Sequence, residues 1–458
     1  MRLTFQQAAA VIGASWRGSA DATFDGVSID SRTLHHGDLF VAIRAERDGH
    51  GFAGAALGAG ASGVIVDRAS GWASDVVPTL TVEDTTVALQ ELGASVRNRY
   101  TGPVVGITGS TGKTSTKDLL RAILAQRGPI GASVASFNNE FGVPITLLNS
   151  PDDAWAVVVE MGARGPGHIA FLCGMARPNV AIVTNIGVAH LGEFQSVEAI
   201  AKAKGELVEA VGTLGPNGVV ILNADDPSSP ALRARTNGPV LTFGESPGAD
   251  VRADNVELDI GLRTQFRLQT PVGSTTIRLR ARGRHQVANA LAASAGAMSA
   301  GCTIENLAAG LQAAAMSPAR MDLVRTASGA LILNDAYNAN PASMRAGLSA
   351  LCELPARRRI AVLGVMAELG EQSASMHRLI ATDASASGLI VVAVNAPEYG
   401  PGMIHVDTQD AAIERMGALG DGDAVLVKGS LVAGLRALAE RMIALSGGAV
   451  DGGAATSW

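Results

Sequence analysis

One run constrains this chain more than any other: Gly106-Ile107-Thr108-Gly109-Ser110-Thr111-Gly112-Lys113-Thr114-Ser115. It follows the apolar pair Val104-Val105 and precedes Leu119, Leu120, Ile123 and Leu124, which fall on a helical period. A strand, a glycine-rich turn and a helix in that order let consecutive backbone N–H groups converge on phosphate oxygens at a helix N-terminus, where the helix dipole adds positive potential. Lys113 then neutralises the β- and γ-phosphates, and Thr114 offers a hydroxyl to Mg²⁺. The spacing is a variant of the usual phosphate loop, because the residue five before Gly112 is Ile107. The competing reading is an ordinary glycine-rich strand-to-helix turn, which gives no reason for Lys113 and Thr114 to stand together.

The rest of the chain predicts three α/β units. At 458 residues it is too long for one core, and 47% hydrophobic with 17% charged residues excludes disorder. Residues 1–99 read as a small α/β unit with strands at 39–43 and 63–66 and a helix from Phe52. Residues 100–316 carry buried-type strands at 156–160, 180–184 and 219–222 between helical patterns, a parallel sheet covered by helices. Within them, 264–268 and 276–280 alternate with period two around Pro271-Val272-Gly273-Ser274, an antiparallel appendage. Residues 317–446 restart the pattern, with strands at 331–333, 360–363, 389–394 and 424–427 forming a second doubly wound, Rossmann-like sheet. The Gly-, Ala- and Ser-rich tail 447–458 is expected to be disordered.

A net charge of −6 provides no basic field for nucleic acid, so any phosphate must be held locally. Cys173, Cys302 and Cys352 are scattered and pair in no CxxC, which fits a reducing cytoplasm and gives no zinc site. No stretch reaches the roughly 18 apolar residues of a membrane helix, so a soluble protein is expected.

The variant loop resembles that of the Mur ligases, ATP-dependent amide-bond-forming enzymes of peptidoglycan synthesis, and the likeness runs along nearly the whole chain. It is carried by Asp30-Ser31-Arg32, Gly37-Asp38-Leu39-Phe40-Val41-Ala42, Asn138-Asn139-Glu140-Phe141-Gly142-Val143-Pro144 and Glu160-Met161-Gly162-Ala163-Arg164. Further on, Asn185-Ile186-Gly187, His190-Leu191, Ala203-Lys204, Glu206, and the run Asn334-Asp335-Ala336-Tyr337-Asn338-Ala339-Asn340-Pro341 with Val427-Lys428-Gly429-Ser430 continue it. The last two runs are similar to the branch that joins D-Ala-D-Ala to UDP-MurNAc-tripeptide. Val365 stands where that branch usually has an Asp. The resemblance implies attack of a peptide carboxylate on ATP to give an acyl phosphate, then attack of an amine, by a monomer that takes no nucleic acid. Rival readings are a sister ligase adding the third peptide residue, a folylpolyglutamate synthase, or a phosphate-loop switch protein.

Two anions must meet in such a reaction. A like-charge pair at 4 Å costs about 4 kcal/mol at an effective dielectric of 20, so metal ions and lysines are required. Glu160 ends the strand Ala156-Val157-Val158-Val159 at the sheet edge where ligands bind, and His190 follows the next strand at the same edge; both are placed to ligate Mg²⁺, of which two ions are expected. Lys204 shares one helical stripe with Ile200, Leu207 and Val211, while Lys202, Glu206 and Glu209 lie opposite. A buried ammonium is disfavoured, so its amine is expected to be partly neutral and open to CO₂, unless it snorkels from the helix edge. The resemblance makes Lys204 a carbamylated metal ligand. It also assigns Gly109 through Ser115 to the ATP phosphates, Asn289 to adenine, and Arg320 and Asp335 to the nucleotide from the third unit. Ser31, Arg32, Asn138, Asn139 and Thr146 are assigned to the UDP-linked substrate and Asn338 to substrate binding, while Lys428, at the carboxyl end of the strand Ala424 to Val427, is placed as a cation for the carboxylate of the incoming dipeptide.

Overall fold

The computed structural model describes residues 3–17, 22–72, 77–134, 137–187, 191–194 and 196–445, so the expected disordered tail and His190 lie outside the described residues. Three sheets of five, nine and six strands follow one another along the chain, beside a two-stranded ladder of Leu3–Thr4 with Thr23–Phe24.

The middle sheet is built from the strands that the apolar runs marked. Its order is Gly273–Arg282, Arg263–Thr270, Val251–Leu258, Val240–Gly244, Val219–Asn223, Val180–Val183, Val104–Thr108, Ala156–Glu160 and Ile130–Ala132. Strands from Ile130–Ala132 to Val251–Leu258 run parallel, and the last two strands turn antiparallel. The expected antiparallel appendage is present and extends the sheet at this edge. Both faces are covered, as continuous Val and Ile runs require. Val105, Ile107, Ile182 and Ile221 face the helices Lys113–Leu124 and Gln286–Ser299, while Val104, Val157, Val159 and Val183 face His168–Ala176 and Val197–Gly212. The chain leaves Val104–Thr108 toward one edge of the sheet and Val180–Val183 toward the other, so their carboxyl ends flank the point where the connections reverse.

The N-terminal sheet runs Ser15–Arg17, Thr79–Val82, Gly63–Asp67, Leu39–Val41, Val27–Ser28. Its helix Thr85–Arg99 starts where the Asp84 carboxylate accepts from Thr86 and Val87 N–H. That helix lies directly on Gly142–Leu148 of the middle unit: Gly93 leaves no room for a Cβ against Pro144, and Ile145 and Leu148 join the core of Leu39, Leu89 and Leu92. The Asn149 amide closes the seam, accepting from Val27 N–H at 2.7 Å and donating to Val27 C=O at 3.0 Å.

The C-terminal sheet runs Asp322–Arg325, Leu331–Asn334, Asp423–Lys428, Arg358–Leu363, Ile390–Val394, Ile404–Val406, antiparallel only at its first pair. Pro341–Glu353 and Ser373–Ala386 cover one face, and Gln409–Met416 and Leu435–Leu445 the other, the doubly wound arrangement expected. Leu262 of the middle hairpin is buried in its core.

His377 sits fully buried in this last unit. Its Nε2 accepts from Met366 N–H at 2.8 Å, its Nδ1 donates to Ser373 C=O at 2.7 Å, and its ring meets the edge of Tyr399. Both nitrogens are committed to a neutral ring, and burial lowers its pKa from 6.5. A depressed folded pKa means that the stabilisation is complete above pH 6.5 and is lost as the pH falls toward the folded value. Thermal unfolding of the wild type should therefore become easier below that pH, at a limiting rate of about 1.4 kcal/mol per pH unit for one site. His377→Leu should be less stable at pH 8 but should lose less on acidification; identical pH slopes for the two proteins would refute the assignment.

Candidate functional site

The phosphate loop is held open from three sides. Gly109 and Gly112 have φ of +146° and +78°, and a Cβ on either would overlap Thr184 Oγ1 or Asn289 Oδ1. Asn185 Oδ1 accepts from Thr111 N–H at 3.0 Å, its Nδ2 donates to Thr111 Oγ1 at 2.8 Å, and Thr184 Oγ1 donates to Thr111 C=O at 2.6 Å. Ser110 is tied to Gly187 by a 3.0 Å bond from its hydroxyl to the carbonyl and a 2.8 Å bond from the Gly187 N–H back to it. The helix then begins at Lys113, whose ammonium donates to Gly109 C=O at 2.8 Å.

Charge gathers just below this loop. Glu160 is buried at the carboxyl end of its strand, accepting from Thr114 Oγ1 and from Asn138 Nδ2, both at 2.9 Å. Burial lowers the Lys113 pKa, with Glu160 and Glu368 favouring its charge and Arg320 opposing it. Lys204 is 1% exposed, with Ile200, Leu207 and Val211 buried on the same stripe, and it has no hydrogen-bond or ion-pair partner among the described residues. Burial first and the Lys113 ammonium second push its pKa well below 10.5. On the opposite side of that helix Lys202 is exposed, and Glu206 accepts from Gly167 and Ala170 N–H, capping the neighbouring helix. Among the described residues no three His, Cys, Asp or Glu side chains cluster. Mg²⁺ needs no such cage, since it keeps waters and takes one or two carboxylates plus phosphate oxygens. Thr114 and Glu160, beside the backbone nest, fit that requirement.

The third unit reaches the same place. Arg320 lies 4.1 Å over the Tyr337 ring, with its buried Nε unpaired, and is close enough to affect Lys113. Asp335 is buried but not free: Lys428 donates to its carboxylate at 2.5 Å and to Asn338 C=O at 2.9 Å. Lys428 is 2% exposed, so its ammonium is committed within its own unit and does not face an open cleft. The exposed Asn338 accepts from Ala339 N–H.

Other expected contacts are engaged in holding the structure. Asn289 does not present an open amide; it is buried, bonded to Gln286 and Thr116, and wedged against Gly112. Asn139 caps Gly142–Leu148 by accepting from Phe141 and Gly142 N–H. Thr146 is buried, donating to Gly142 C=O and lying within bonding distance of Ser133, which in turn accepts from Glu160 N–H. Ser115 is buried in the first turn of its helix. Ser31 and Arg32 occupy an exposed turn in which Arg32 grips Asp30 bidentately, holding that carboxyl below the usual range. Thr184 and Asn185, which brace the loop, receive no role from the sequence, although the Asn185-Ile186-Gly187 run is among those that carry the likeness.

Comparison with known proteins agrees with this geometry. The Mur ligase middle domain family matches residues 107–297, and the Mur ligase, glutamate ligase domain family matches 319–431. The chain belongs to the Mur ligase family. A UDP-N-acetylmuramoyl-tripeptide--D-alanyl-D-alanine ligase of Mycobacterium tuberculosis is 37% identical, over 97% of this chain and 98% of that one. The MurF crystal structure from Acinetobacter baumannii superposes with a TM-score of 0.84 at 31% identity, over 97% of this chain and 99% of that one. MurF ligase from Thermotoga maritima in complex with ADP gives 0.76 at 28% identity, over 92% and 96%. A three-sheet Mur ligase is thus the frame in which the loop, Glu160 and Arg320 are to be read.

Gly112→Ala tests the loop. The substitution forces a methyl group onto Asn289 in a left-handed conformation that costs about 1–2 kcal/mol by itself, so ATP-dependent turnover should fall about tenfold or more with the fold retained. Gly58→Ala, at an exposed site with open space, should behave as wild type. Wild-type turnover in the Gly112 variant would contradict the loop assignment.

Proposed function

We propose that this chain joins D-Ala-D-Ala to UDP-MurNAc-tripeptide with ATP, giving UDP-MurNAc-pentapeptide, ADP and phosphate. The observation that carries the reading is the convergence of a phosphate nest, the Glu160–Thr114 pair and Arg320 of the third unit. The near full-length likeness to D-alanyl-D-alanine ligases favours this branch over a sister ligase or a folylpolyglutamate synthase.

The backbone of Gly109 through Thr114 cradles the triphosphate, and Lys113 exchanges its Gly109 carbonyl for phosphate oxygens. Thr114 and Glu160 would hold Mg²⁺, which screens the triphosphate from the attacking peptide carboxylate. That carboxylate oxygen attacks the γ-phosphorus, the bond to the β-phosphate bridging oxygen breaks, and ADP leaves. The dipeptide amine then attacks the acyl carbon and phosphate departs, with one proton lost from nitrogen. Arg320, close enough to act on Lys113, would bring a second cation to the phosphoryl group from the third unit. Ser31 and Arg32 of the N-terminal unit, with Asn138 of the middle unit, would bind the UDP-linked substrate.

Lys204 acts as a carbamate. Its neutral amine adds to the carbon of CO₂, one electron pair moves to oxygen and a proton is released, so the cation that burial disfavours becomes an anion able to help Glu160 and His190 hold a second Mg²⁺. The chain is read as a monomer, and ATP with a UDP-linked substrate fits a cytoplasmic reaction.

Phosphate release measured against a panel of UDP-muramoyl peptides and amine acceptors should require both UDP-MurNAc-tripeptide and D-Ala-D-Ala. Steady release without either would return the protein to the nucleotide-switch class. Lys204→Ala should be nearly inactive yet folded and partly restored by small carboxylates, whereas Lys202→Ala should match wild type. Equal losses in the two variants would remove the carbamate from the mechanism.

A further inference from the structure

The segment between the second and third units is held under strain. Ala319 and Met321, on either side of Arg320, have φ of +57° and +59°, a left-handed conformation that costs a non-glycine residue about 1–2 kcal/mol. Each is held there by a carboxylate: Asp322 accepts from Ala319 N–H at 2.6 Å and Asp335 from Met321 N–H at 3.2 Å. The same Asp335 carries the buried pair with Lys428. At the other end, Ser317 N–H donates at 2.8 Å to the buried carboxylate of Asp118. Asp118 lies on Lys113–Leu124, the helix that opens at the phosphate loop, and its other oxygen is 3.1 Å from Lys117, whose ammonium also donates to Ser133 C=O. Ser133 in turn accepts from the backbone N–H of Glu160.

We infer that Asp118 is a positioning residue: through Ser317 it fixes one end of the strained segment to the phosphate-loop helix, and so sets where Arg320 stands relative to the γ-phosphate. The inference rests on the proposed role of Arg320. Asp118 touches no reactant. It couples the third unit to the rigid element that carries the phosphates, so that Arg320 and Lys113 keep a common register when the cleft opens and closes. Breaking the Asp118–Ser317 hydrogen bond displaces Arg320 without unfolding either sheet, and misplacement of a transition-state group by about 1 Å costs on the order of 100-fold.

The test is a double-mutant cycle on the full-length chain, read as kcat and KM for ATP in the phosphate-release assay. Asp118→Ala should lower kcat about 10- to 100-fold with little change in KM, and Arg320→Ala should lower it at least as much. The double variant should be no worse than Arg320→Ala alone, because both changes act through the same interaction with the phosphoryl group. Asp118→Asn, which still accepts from Ser317 N–H, should stay near wild type. If Asp118→Ala folds poorly, Ser317→Pro removes the same donor and leaves the Lys117–Asp118 pair in place; Pro318 already biases residue 317 toward the extended region that proline accepts. Multiplicative losses in the double variant would overturn the positioning role. Normal turnover in Arg320→Ala would instead overturn the underlying assignment of Arg320.

Discussion

A parallel sheet covered by helices on both faces leaves charge only one place to collect, and the rest of this structure follows from that constraint. Strands such as Val104–Thr108 and Ala156–Glu160 are buried along their whole length, so a polar side chain in the middle would be desolvated without a partner. At the carboxyl edge the backbone N–H groups of the next helix turn outward, and polar residues begin there: Thr108, Glu160 and Thr184 each stand at or just past a strand end. The same rule in the C-terminal sheet puts Asp335 and Lys428 at the ends of adjacent strands. The candidate site lies where the two edges approach, with Arg320 and Glu368 of the third unit near Lys113.

Burial at those edges also sets the charge states. Lys113 and Lys428 keep carboxylates within reach, Glu160 for one and Asp335 for the other, whereas Lys204 lies on a buried apolar stripe with no ion-pair partner among the described residues and the Lys113 ammonium nearby. Of these three lysines it is the one on which burial and a like charge act together, which pushes its pKa well below 10.5. Electrostatic demand, and not sequence spacing, separates their roles.

Much of this was legible in the sequence because it depends on local pattern. Apolar runs located the central strands, the glycine-rich loop located the nest, and the helical stripe through Ile200 and Leu207 placed Lys204 inside. Short or edge strands such as Ile130–Ala132, Asp322–Arg325 and Ile404–Val406 escaped, since three or four residues carry little periodic signal. So did the true surroundings of Asn289, Thr146 and Lys428. A polar residue on a helix or at a strand end looks alike in sequence whether it meets solvent or a partner from a distant segment; Asn289 touches Gly112 and Lys428 pairs with Asp335 only through the tertiary fold.

The two seams between units are built differently. The first is a shared core, with Ile145 and Leu148 sunk among Leu39, Leu89 and Leu92 and the Asn149 amide pairing the backbone at Val27. Among the described residues the second rests on fewer ties, chiefly Leu262, the Ser317 amide and Gly192 with Glu368. Parting the first two units would therefore uncover a shared apolar core, whereas among the described residues the second seam is held chiefly by one buried leucine and polar ties.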